Sequence, residues 1–89
     1  MIEVIVSSAL KNYFQKTGSL YLELEAGANV KNLLDILRVD YKMHFLENVG
    51  NVVELRRHFI IILDGRFALL DDIIHEGSIV KIVPPICGG

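Results

Sequence analysis

The hydrophobic residues of this chain change their spacing twice, and that change limits the folds open to it. Ile2, Val4 and Val6 alternate with Glu3 and Ile5, and Leu20, Leu22 and Leu24 alternate with Tyr21, Glu23 and Glu25. Both stretches have the period-two pattern of strands with one face against a core. From Val30 the period lengthens: Val30, Leu33, Leu34 and Leu37 fall at i, i+3, i+4 and i+7, the apolar stripe of an amphipathic helix. After Phe59 the strand pattern returns, first as the continuous apolar run Phe59 to Leu63. It recurs in Ser78 to Val83, where Val80 and Ile82 share one face and Ile79, Lys81 and Val83 the other. Two strands, a helix and then more strands predict an α+β roll, a mixed sheet of four to five strands with one main helix on one face.

The breaks between these segments have a local chemistry that supports them. Gly27-Ala28-Asn29 interrupts the second strand, and Asn29 can cap the helix by accepting a hydrogen bond from a free amide of its first turn. Arg38 suits the helix C-terminus, where the backbone dipole favours a cation. Asp64-Gly65 is a tight hairpin turn that favours positive φ at both positions. Arg66 to Leu70 then returns as a short strand, and Glu76-Gly77 makes another turn. Pro84-Pro85 stops the last strand, because proline has no amide to donate to a ladder. Residues 40–58 have a weaker signal, with Tyr41, Phe45, Leu46 and Val49 spaced for a second short helix that Gly50-Asn51 would end. The predicted division is a domain over 1–84 and a flexible tail over 85–89.

A length of 89 residues fits one domain, with 52% hydrophobic residues and a mean hydropathy of +0.42. That hydropathy is high for a free-standing domain and points to apolar surface kept for a partner. One helix covers one face of the sheet, so Phe59, Ile61, Ile79, Lys81 and Val83 are the expected partner-binding residues, unless the 40–58 segment folds over them. A net charge of −2 gives no basis for nucleic-acid binding, which needs concentrated Lys and Arg. The basic cluster Arg56-Arg57-His58 reads either as a solvated turn or as a contact for an acidic partner. The single cysteine excludes an internal disulfide. The N-terminus reads as a strand rather than a signal peptide, and five apolar residues from Phe59 are too few to span a bilayer, so the cytoplasm is the expected location.

The densest chemical signal is the end, Pro84-Pro85-Ile86-Cys87-Gly88-Gly89. Two consecutive glycines at a given place arise by chance at about 0.5%. Without side chains they can thread a narrow channel, and the prolines hold the base of the tail extended. The reactive group would be the carboxylate of Gly89. A carboxylate resists nucleophiles until adenylation gives it a leaving group. The chain has no phosphate-binding motif of its own, so activation has to come from another protein. Cys87 is either a passive small residue or a thiol that reacts near the tip. His44, His58 and His75 have no metal-ligand spacing and no metal is expected. Asp71, Asp72 and Glu76 read as a solvated turn.

In element order and length the sequence resembles the small sulfur-carrying subunits of molybdopterin synthase, within the ubiquitin-like β-grasp family of sulfur carriers. The residues that carry the resemblance are Gly27-Ala28-Asn29-Val30, Asp64-Gly65, Glu76-Gly77-Ser78 and Val83-Pro84-Pro85-Ile86-Cys87-Gly88-Gly89. The chain departs from that pattern at Ser7-Ser8-Ala9-Leu10-Lys11, in Asp-Gly where Asn-Gly is commoner, and at Cys87. The resemblance implies a ubiquitin-like β-grasp roll in which Gly89 is adenylated by a ubiquitin-activating-type adenylyltransferase that uses ATP, and then becomes a thiocarboxylate. It also implies that the tail, Pro85, Ile86, Cys87 and Gly88 included, inserts into a large synthase subunit within a heterotetramer. There it would give sulfur to a cyclic pyranopterin phosphate. The chain would then be a carrier and not an enzyme, with no permanently bound cofactor. Two alternatives share the adenylation step: a ubiquitin-like protein modifier, and a carrier for thiamine, cysteine or tRNA thiolation.

Overall fold

The protein is described by a computed structural model covering residues 1–11, 17–41 and 59–84. Strand β1 (Ile2–Val6) leads through a 3-10 turn (Ser8–Leu10) towards β2 (Gly18–Leu22). Helix α1 (Val30–Asp40) follows, then β3 (Ile60–Leu63), β4 (Arg66–Phe67) and β5 (Ile79–Val83). The strands form one five-stranded mixed sheet in the order β2-β1-β5-β3-β4. Neighbours pair antiparallel except β1 and β5, which run parallel. The last strand in the chain is therefore the central strand of the sheet.

The alternation in the sequence decides which face each residue takes. Ile2, Val4 and Val6 on β1, Leu20 and Leu22 on β2, Ile61 and Leu63 on β3, and Val80 and Ile82 on β5 all point inward. Helix α1 closes this face with Val30, Leu33, Leu34 and Leu37, and the two sets form one core with Leu10, Phe59, Ala68 and Ile74. Val80 and Ile82 are completely buried at the centre. Each such side chain contributes about 1.5–3 kcal/mol relative to an exposed one.

The helix starts where the sequence predicts. The Asn29 side chain accepts from the Asn32 N–H at 2.8 Å, and the Asn32 side chain accepts in return from the Asn29 N–H at 3.0 Å. This reciprocal pair satisfies two donors that the first helical turn leaves free. Two more are taken by the segment before β5: the Val30 N–H donates to the Asp72 carbonyl and the Lys31 N–H to the Leu70 carbonyl. The Ile74 N–H donates to the Ala28 carbonyl, completing a clasp around the helix start. The turn at 64–65 has the predicted positive φ at both positions, 49° at Asp64 and 85° at Gly65. The strand expected over Arg66 to Leu70 is shorter, because only Arg66 and Phe67 pair with β3 before the chain turns to the helix. The second helix expected beyond Tyr41 falls on residues outside the described ones. No helix among the described residues is long and apolar enough to cross a membrane.

Candidate functional site: the tail root and the open sheet face

The last described residue is Pro84, immediately after β5. Pro85, Ile86, Cys87, Gly88 and Gly89 lie outside the described residues. The root from which they continue is held on both sides. On one side Val6 pairs with Ile82, and the Ser7 N–H donates to the Ile82 carbonyl at 2.9 Å. On the other, Val83 pairs with Ile60 and Ile82 with Ile61.

The sheet face away from α1 is open among the described residues. Lys81 lies at its middle, beside Ile5 on β1 and Ile62 on β3. One residue pair further along is Val83 beside Ile60, and one pair back is Ile79 beside Glu3. Ile79 is 41% exposed, Lys81 is exposed, and Ile5, Ile60, Ile62 and Val83 are half-buried. A shallow cavity of about 150 Å³ opens on this face between Ile62, Asp64, Gly65, Ile79 and Lys81.

Two residues expected on this face are not there. Phe59 and Ile61 are 0% and 3% exposed and belong to the core. A continuous apolar run such as Phe59 to Leu63 has two possible phases, and pairing with β5 selects between them. Ile61 stands opposite Ile82 and Leu63 opposite Val80, both inward. The intervening Ile60 and Ile62 therefore take the places on the open face that were assigned to Phe59 and Ile61. Ile5, Ile60 and Ile62 were missed as members of this face. The signal for Ile5 was its alternation with Val4 and Val6; for the other two, no signal exists in the run itself.

Asp64 at the hairpin tip has a second task that the sequence reading did not assign. Its carboxylate accepts from the Ser78 hydroxyl at 2.9 Å and from the Ile79 N–H at 2.8 Å, fixing the entry of β5. At the far edge of the sheet the Tyr21 hydroxyl donates to Glu3 at 3.2 Å. That hydrogen bond and the carboxylate's charge raise the Tyr21 pKa above its ordinary value. Asp72 of the acidic turn accepts from the Leu69 N–H at 2.8 Å, so this turn is built by its own side chain. A larger cavity, about 520 Å³, is lined by residues that include Glu23, Glu25, Gly27 and Asp35 and contains none of the expected site residues. Among the described residues no group of His, Cys, Asp and Glu side chains converges as a metal site would require.

Among the described residues, one α-helix against one face of a five-stranded mixed sheet, with a parallel β1–β5 pair at its centre, defines a ubiquitin-like β-grasp protein. Residues 10–89 match the ThiS family, and the chain belongs to that family of small ubiquitin-like sulfur carriers. None of the curated proteins matches the sequence. Among solved structures the fold is similar to a Pyrococcus furiosus protein described as molybdopterin converting factor subunit 1. The TM-score is 0.76 at 22% identity, over 96% of this chain and 97% of that one. It is also similar to small archaeal modifier protein 1 of Haloferax volcanii, with a TM-score of 0.74 at 20% identity, over 96% and 97% of the two chains. A third likeness is to a complex of subunits 1 and 2 of the molybdopterin-converting factor from Helicobacter pylori 26695. There the TM-score is 0.62 at 20% identity, over 99% of this chain and 97% of that one.

Proposed function

We propose that this protein carries sulfur on Gly89 for molybdopterin synthesis, as the small subunit of a molybdopterin synthase. The observation that supports this most is the family match, which runs from residue 10 through the terminal Gly88-Gly89. The Gly89 carboxylate attacks the α-phosphorus of ATP in a separate adenylyltransferase and pyrophosphate leaves. A hydrosulfide-level donor then attacks the acyl-adenylate carbon, the bond to AMP breaks, and the donor's proton goes to solvent. The product is a thiocarboxylate, which a large subunit receives with the tail inserted in its pocket, the assembly being a heterotetramer. The likeness to a complex of two molybdopterin-converting factor subunits supports a protein partner of this kind. The carrier itself needs no bound cofactor, and the cytoplasm, where ATP and the enzyme are found, is its place of work. Cys87 acts as a small residue in the tail.

Intact-mass measurement tests this reading. With the host's adenylyltransferase, ATP and sulfide, the full chain gains about 16 Da, sulfur for oxygen, and a chain lacking Gly88 and Gly89 gains nothing. Sulfur transfer to the cyclic pyranopterin substrate with the large subunit completes the assignment. Adducts on target-protein lysines in place of the sulfur gain would instead make the chain a modifier.

A further inference from the structure

We infer that the groove between the 23–28 loop and helix α1 receives a segment of a partner protein in which arginine or lysine side chains flank an apolar one, and that it does so with the tail root left clear. The groove is the larger cavity described above, about 520 Å³, a volume in the range of ligand sites. Its floor is apolar: Leu24 and Ile36 are half-buried and pack on the core. Its walls are acidic from two directions. Glu23 and Glu25 stand on the loop and Asp35 on the helix, all three exposed, and none of the residues that line the cavity is a cation. Val39, 60% exposed, follows one turn beyond Asp35 and Ile36 on the same side of α1 and carries apolar surface past the mouth.

Charge selects the occupant. Among the described residues Glu23 and Glu25 make no ion pair, and Asp35 meets Arg38 only at 3.8 Å on an exposed side of the helix, a pair that contributes little. An anionic occupant would be repelled by three carboxylates, and a wholly apolar one would desolvate them without a partner. A cation on each side of an apolar side chain meets the walls and covers the floor together. A polypeptide suits the groove better than a free polyamine for two reasons. A polyamine has no side chain to cover Leu24 and Ile36. Strand β2, which leads into the loop, is an edge strand, so alternate backbone groups along its outer side take no partner from the sheet and are open to an extended chain.

Position decides what else can be bound at the same time. Leu22, where β2 enters the loop, pairs with Ile2, whereas Ile82 at the tail root pairs with Val6. The two pairs lie four residues apart along β1, about 13 Å. The groove is walled by α1, on the other side of the sheet from Lys81. A partner seated there leaves both Pro84 and the open face uncovered.

The test is a titration of the isotope-labelled full chain with a blocked pentapeptide of alternating arginine and leucine, followed by backbone amide NMR shifts. Saturable shifts are expected over residues 23–28 and at Asn32, Asp35 and Ile36, with Lys81 and Val83 unmoved. Glu23→Gln combined with Glu25→Gln, both exposed and outside the core, is expected to raise the dissociation constant about tenfold. Asp71→Asn, on the acidic turn outside the groove, leaves it within about twofold. Equal weakening by Asp71→Asn, or shifts spread over every acidic patch without saturation, overturns the inference, because a cationic peptide drawn only by net negative charge behaves that way. Spermidine giving the same shifts at lower concentration than the peptide overturns it too, and assigns the cavity to a small amine. None of these readouts uses Gly89, so their failure leaves the carrier reading as it stands.

Discussion

Asp64 and Ser78 are joined by a 2.9 Å hydrogen bond, the hydroxyl donating to the carboxylate, and Ser78, 5% exposed, is the one buried polar residue among the described residues. The same hydroxyl accepts from the His75 N–H at 3.1 Å, and the other carboxylate oxygen of Asp64 accepts from Ile79. The β3–β4 hairpin tip is thereby tied to the first residue of the central strand. An aspartate at this place does two things at once. It tolerates φ of 49°, and it supplies two acceptor oxygens.

Replacing Asp64 by Asn keeps the backbone preference but leaves one acceptor oxygen, and the expected loss of stability is about 1 kcal/mol. Asp64→Ala removes both bonds, leaves a buried hydroxyl without its acceptor and strains the turn, for about 2–4 kcal/mol. Urea unfolding at neutral pH measures both. An unchanged midpoint for Asp64→Asn beside a loss for Asp64→Ala would show that the turn conformation, rather than the bonds to Ser78 and Ile79, sets the cost.

The phase of β3 predicts opposite behaviour for adjacent residues. Ile61→Ala empties a core site and costs about 2–5 kcal/mol. Ile62→Ala, on the half-buried open face, costs about 1 kcal/mol or less. Denaturant midpoints of the two variants decide it, and the reverse order would mean that β3 is paired one residue out of register.

Tyr21 titrates above the ordinary phenol value of 10.0, first because of its hydrogen bond to Glu3 and then because of the negative charge there. A folded-state pKa raised above the unfolded one contributes stability that is whole below pH about 10 and fades as pH climbs through the raised value. Glu3→Gln removes the charge and brings the Tyr21 midpoint back towards the ordinary value. NMR of the Tyr21 ring carbon beside the hydroxyl follows this titration. An identical midpoint in parent and variant would exclude Glu3 as the cause.

How far the sequence could be read depended on whether a residue's fate was local. Strand β1, the Asn29 cap, the helix stripe and the positive-φ turn at Asp64-Gly65 were all legible, because each follows from spacing or from a side chain bonding its own neighbourhood. The phase of Phe59 to Leu63 was not, because every residue in the run is apolar and only pairing with Val80 and Ile82 distinguishes them. The clasp of Leu70, Asp72 and Ile74 around the helix start was hidden for a related reason: it uses backbone groups, which carry no sequence signature. At the site, the root of the tail could be placed from Pro84-Pro85. The composition of the face beside it depended on register, which put Ile60 and Ile62 where Phe59 and Ile61 had been expected.

Because β5 occupies the centre of the sheet, Glu3 can pair with Tyr21 early but has to wait for Ile79 before its other side is paired. A ribosome therefore makes almost the whole chain before β1 and β3 have the strand that joins them. A polypeptide released anywhere upstream of Ile79 leaves its two halves of sheet unconnected and its apolar core open to water, a ready substrate for proteases. Folding and possession of the strand that bears the tail are thus completed together. Chains truncated before β5 would be cleared rather than accumulate as folded decoys for a protein partner.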